Sequence, residues 1–88
     1  MKKVDFRTET YDIGGGFYID IFTKSDTYES WIYSDDYGQK DFMFGCPKEQ
    51  QSYSEFVDIV HANIPCYMNI YISNVVEHDY LALTIPFN

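Results

Sequence analysis

Residues 4–11 alternate in character: Val4, Phe6, Thr8 and Thr10 point one way, and Asp5, Arg7, Glu9 and Tyr11 the other. That period of two predicts a strand with one face buried. Gly14-Gly15-Gly16 interrupts it, and glycine's freedom at positive φ favours a turn there. Residues 17–23 resume the alternation, with Phe17, Ile19 and Ile21 on one face and Tyr18, Asp20 and Phe22 on the other. After the polar turn Ser25-Asp26-Thr27, residues 28–34 set Tyr28 and Ile32 against Glu29, Trp31 and Tyr33, a parity that Asp35 continues. Asp35-Asp36-Tyr37-Gly38 turns the chain again. Residues 40–44 predict a short fourth strand, stopped by Gly45 and Pro47, with Phe42 and Phe44 opposite Asp41 and Met43. Connections this short suit an antiparallel meander, since parallel neighbours need long crossovers.

The period then changes. Ser52-Tyr53-Ser54-Glu55 has the spacing of a capping box, and Tyr53, Phe56, Val57, Val60 and Ile64 follow as one helical stripe, which Pro65 is expected to end. Residues 67–73 and 80–85 are rich in β-favouring side chains and predict two closing strands. The order is ββββ-α-ββ in a single α+β domain spanning residues 1–88. Its expected architecture is an antiparallel sheet of about six strands, flat or strongly curved, with one helix on one face. Neither an internal repeat nor a linker composition is present.

Composition adds two constraints. Aromatic residues make up 19% of the chain, nine of them tyrosine, more than a core this small requires, so some rings are expected near the surface. Fourteen acids against six bases give a net charge of −8. That field repels nucleic acid and anionic membranes and attracts basic protein surfaces, so no direct nucleic-acid or membrane contact is expected. Solubility alone is the competing explanation. The opening residues carry no apolar stretch suited to a signal peptide or membrane span, and with two cysteines and no CxxC the expectation is a cytoplasmic protein with reduced thiols.

Catalytic motifs are not evident. There is no GxSxG, and Cys46 and Cys66 have only His61 and His78 as potential bases. Glu77-His78-Asp79 and the group Asp35, Asp36 and Asp41 lack the spacing of a metal site and are expected to be solvated turns. The glycine triplet leads into a strand without a following Lys, unlike a phosphate loop. We therefore expect no cofactor, no bound metal and no enzymatic activity.

If the purely apolar strand faces meet the helix, the opposite face collects Asp5, Glu9, Tyr11, Tyr18, Asp20, Phe22, Glu29, Trp31, Tyr33, Asp35 and Asp41. Rings among carboxylates make poor core, yet leaving them wet costs about 25 cal/mol per Å² of apolar area. A partner protein would remove that cost. The expected partner-binding residues are Tyr18, Asp20, Phe22, Glu29, Trp31, Tyr33, Asp35, Asp36 and Asp41. Same-face side chains on a strand are about 6.6–6.8 Å apart, close to twice the phosphate rise of about 3.4 Å along one DNA strand, so a row of these carboxylates permits DNA mimicry. Packing of the same face against a second copy of the chain is the structural alternative.

In size, acidity and lack of catalytic motifs the chain resembles the small phage-encoded inhibitors of bacterial defence, the anti-CRISPR and anti-restriction proteins. It also resembles the acidic immunity proteins that block nuclease toxins. The resemblance covers the whole chain and rests on composition. It implies a non-enzymatic inhibitor, acting in a bacterial host cell, that occupies the basic nucleic-acid-binding surface of a nuclease.

Overall fold

The computed structural model describes residues 7–77. Four strands, β1 (Arg7–Gly14), β2 (Phe17–Thr23), β3 (Thr27–Ser34) and β4 (Lys40–Pro47), form an antiparallel sheet in the order β1-β2-β3-β4. Two helices follow, α1 (Tyr53–Ala62) and α2 (Ile64–Tyr71), and α2 runs on into a π-helical segment, Ile72–Val76. The result is an α+β pair of layers, with the helical segments supplying one wall of the core and the sheet the other.

The core joins Ile19, Ile21, Tyr28, Ile32 and Met43 from the sheet to Phe56, Val60, Tyr71 and Val75 from the helical layer. Ring contacts knit the layers together: Phe56 lies 5.4 Å from both Tyr28 and Phe44, and Phe17 meets Tyr71 edge-on at 5.9 Å. Ser30 and Ser34 share the helix-facing side of β3 with Tyr28 and Ile32. Both are buried and bonded, Ser30 Oγ donating to the Phe44 carbonyl at 2.9 Å and Ser34 Oγ accepting from the Asp36 amide at 3.2 Å. Burial therefore leaves neither hydroxyl without a partner.

The expected capping box is present in α1. Ser52 Oγ accepts from the Glu55 amide at 3.2 Å, and the Glu55 carboxylate accepts from the Ser52 amide at 3.0 Å. Pro65 does not end the helical region as expected. Helix α1 stops at Asn63, whose side chain donates to the Ile59 carbonyl at 2.7 Å. Pro65 instead falls in the first turn of α2, where its missing N–H is no loss.

The expected strand over residues 67–73 is overturned, since this segment is helical. Ile64, Tyr67, Met68, Tyr71 and Val75 all pack on the core, a spacing of i, i+3, i+4, i+7 and i+11 that only a helix brings to one side. Tertiary burial outweighs the β propensity of Tyr67, Ile70, Tyr71 and Ile72. The one-helix, six-strand count is corrected accordingly to four strands and two helices among the described residues. The second closing strand, residues 80–85, lies outside them, as does Asp5.

The face assignments of β2 and β3 hold, while β1 and β4 each depart from simple alternation. In β4 Ser30 pairs with Phe44 but Trp31 pairs with Phe42, so Met43 is an extra residue and forms a bulge. The bulge reverses the parity of everything before it. Phe42 moves to the open face beside Trp31, Asp41 moves to the helix side opposite Ile32, and Met43 is buried in the core. In β1 Glu9 pairs with Ile21 and Tyr11 with Ile19, so both lie on the helix side rather than the open face. Tyr11 settles that parity: its ring meets His61 edge-on at 5.6 Å and its hydroxyl lies 3.0 Å from that of Tyr53.

Candidate partner-binding face

The sheet face turned away from the helices carries Thr8, Thr10 and Asp12 from β1, Tyr18, Asp20 and Phe22 from β2, Glu29, Trp31 and Tyr33 from β3, and Lys40 and Phe42 from β4. Cross-strand register turns its aromatic residues into two contacts. Tyr18 stacks on Tyr33 with centroids 5.4 Å apart, and Trp31 meets Phe42 edge-on at 5.3 Å. Tyr18, Phe22, Trp31 and Tyr33 are half-buried, and Phe42 is 52% exposed. Of the rings expected on an open surface, Tyr18, Phe22, Trp31 and Tyr33 are therefore there and Tyr11 is not, while Phe42, expected in the core, joins them.

At the centre of this face the charges are spent internally. Asp20 is only 3% exposed and holds the Lys40 ammonium at 2.7 Å and the Thr10 hydroxyl at 2.7 Å. Lys40 Nζ also lies over the Tyr33 ring, 4.8 Å from its centroid. Glu29 accepts from Lys24 Nζ at 3.1 Å and from Trp31 Nε1 at 3.4 Å. The centre of the face is thus aromatic and close to neutral. A phosphate-like row of Asp20, Glu29, Asp35 and Asp41 does not assemble, because two members are neutralised and Asp41 lies on the other side of the sheet, bonded to Gln39 at 2.8 Å.

Unspent acid gathers at one end of the sheet. The Asp35 amide donates to the Gly16 carbonyl at 3.1 Å, which brings the β1–β2 and β3–β4 turns together. Asp12, Asp35 and Asp36 are exposed there. Asp35 acts on the neighbouring Tyr18, pushing its phenol above the ordinary range by hydrogen bonding first and by its charge second. Arg7, Lys24 and Lys48 lie at the opposite end: Arg7 pairs with Thr23 across the sheet, and Lys48 Nζ donates to the Lys24 carbonyl at 3.0 Å. Asp26 and Glu49 are exposed at that end as well, so it is mixed in charge; the gathering of acid at the other end was not read from the sequence, since it depends on which turns share an end.

Among the described residues no hydrogen bond joins His61 to either thiol, and His78 lies outside them. His61 Nδ1 lies 2.9 Å from the Val57 carbonyl. Both thiols are free, and burial pushes that of Cys46 up, away from the thiolate that a nucleophile needs. Among the described residues no three His, Cys, Asp or Glu side chains converge as metal ligands, and no helix is long and apolar enough to cross a membrane. Compared with known proteins, the chain matches no family model, no curated protein and no solved structure.

Proposed function

We propose that the chain is a non-enzymatic inhibitor that occupies the basic, nucleic-acid-binding surface of a bacterial defence nuclease, in the manner of anti-CRISPR and anti-restriction proteins. The observation that carries this reading is that the open sheet face bearing the rings of Trp31, Tyr33 and Phe42 runs, at one end, into the exposed carboxylates of Asp12 and of the turn residues Asp35 and Asp36. Aromatic anchors supply contact area, and rim carboxylates speed encounter with a cationic groove. The mechanism is steering plus aromatic docking; a literal copy of the DNA backbone is not required.

The test is the salt dependence of binding to nucleases captured at low salt and then purified. Reversing Asp12, Asp35 and Asp36 to Lys is expected to slow association about tenfold and flatten its response to salt. Binding indifferent to both salt and reversal would remove the electrostatic part of the mechanism.

The second reading is an assembly module that homodimerises through the same face. The 52% exposure of Phe42 favours it, because a two-fold copy would cover that ring. Sedimentation of the purified chain separates the two, since a stable dimer that buries Trp31 and Phe42 leaves no face for an inhibitor.

A further inference from the structure

The open face holds a shallow groove of about 310 Å³ lined by Phe22, Lys24, Glu29, Trp31 and Lys40. We propose that this groove is an anchor site for one large apolar side chain projecting from the basic surface of the partner protein. The inference rests on the reading above and specifies what the face recognises.

Three observations point to an apolar occupant. Trp31 is fixed from two sides, by Phe42 edge-on at 5.3 Å and by donation from its Nε1 to Glu29 at 3.4 Å, so its ring offers a preset hydrophobic wall with its one donor already used. The lysines bordering the groove have their ammonium groups held by carboxylates, Lys24 by Glu29 at 3.1 Å and Lys40 by Asp20 at 2.7 Å. Their alkyl stems can therefore face an apolar guest. The volume sits at the lower end of the range of about 300–1,000 Å³ for ligand pockets, which suits a side chain better than a whole cofactor.

Charge excludes the alternatives. An arginine or lysine entering the groove would meet two ammonium groups, and a carboxylate or phosphate would have to break one of the two ion pairs. An apolar side chain does neither. The exposed carboxylates of Asp12, Asp35 and Asp36 lie at the far end of the sheet from Lys24, so in the matching epitope the cations stand well to one side of the hydrophobic protrusion and do not surround it.

Trp31 is the only tryptophan in the sequence, so its emission reports on this groove alone. The experiment titrates the full chain at low salt with a short oligolysine peptide bearing one central leucine, and with the same peptide bearing glycine there. Red-edge-excited emission and calorimetric affinity are followed together. Both peptides are expected to bind, with only the leucine peptide shifting Trp31 emission to the blue and binding roughly tenfold more tightly, as partial burial of one such side chain implies. Phe22→Ala is expected to erase that advantage, so that the two peptides bind the variant with equal affinity and neither shifts Trp31 emission. Because the two peptides are compared on the native chain, the result does not depend on the variant folding.

Equal affinity and equal emission for the two peptides would overturn the anchor site while leaving attraction to basic surfaces intact. So would stronger binding by a peptide with arginine at the centre. Binding of neither peptide at low salt would overturn the parent reading, and the anchor site with it.

Discussion

Lys40 and Asp20 form an ion pair of unequal exposure: Nζ and Oδ2 are 2.7 Å apart, yet the lysine side chain is 46% exposed and the aspartate side chain 5%. The buried partner is the vulnerable one. Lys40→Met leaves the Asp20 carboxylate with the Thr10 hydroxyl and no counter-charge, and is expected to destabilise the fold by about 2 kcal/mol. Adding Asp20→Asn should return more than half of that loss. Urea midpoints of the two single variants and the double variant measure the coupling, and a purely additive double variant would show that the pair does not stabilise the sheet.

Tyr71 ties the second helix to the β3–β4 turn. Its hydroxyl donates to the Gln39 carbonyl at 2.7 Å and accepts from the Ser34 amide at 3.2 Å. Tyr71→Phe keeps the ring against Phe17 and strips both bonds, with an expected cost of about 1–3 kcal/mol. Hydrogen exchange at the Ser34 amide should accelerate more than exchange in β2. Uniform acceleration would instead mean a global loss.

Gly45 has no room for a side chain. A Cβ there would lie 2.7 Å from the Tyr28 carbonyl oxygen, a backbone atom that cannot rotate aside. Gly45→Ala is expected to destabilise by about 1–3 kcal/mol and to disturb the pairing of β3 with β4. A melting temperature unchanged from the native chain would contradict this geometry.

Stability against pH has two limbs. Lys40 is raised above its ordinary 10.5 by its hydrogen bond to Asp20, and Tyr53 is raised above 10.0, by burial first and by its bond to Tyr11 second. Groups raised in the folded state contribute fully below their unfolded values and lose that contribution as pH climbs through the folded ones. Glu55 is lowered from 4.5 by its bond to the Ser52 backbone, so its contribution is present above that value and is lost as pH falls through the folded one. Melting temperatures are therefore expected to hold between about pH 5 and pH 10 and to decline on either side. Ser52→Ala should cost about 1 kcal/mol at neutral pH and shrink the acid limb alone.

Much of this architecture is legible in the sequence wherever its cause is local. The alternation of Ile19, Ile21 and Ile32 with Tyr18, Asp20, Trp31 and Tyr33 places β2 and β3 on their correct faces, and the box from Ser52 to Glu55 marks the start of α1. Where long-range contacts decide, the residue pattern misleads. Tyr67 and Tyr71 have strand propensity but turn helical because both pack against the sheet. Glu9 and Tyr11 match either face of an edge strand until Tyr53 and His61 supply a partner. The aromatic half of the candidate face was readable from parity, whereas the neutralising lysines were not. Lys24 and Lys40 reach Glu29 and Asp20 only once the strands are side by side.

The bulge at Met43 has a consequence for which part of the molecule a length change in β4 would touch. Removing that one residue leaves Phe44 opposite Ser30 and Phe42 opposite Trp31 in plain alternation, so the outer surface keeps its rings. What vanishes is a buried thioether from the interior. A one-codon deletion there hollows the inside and spares the outside.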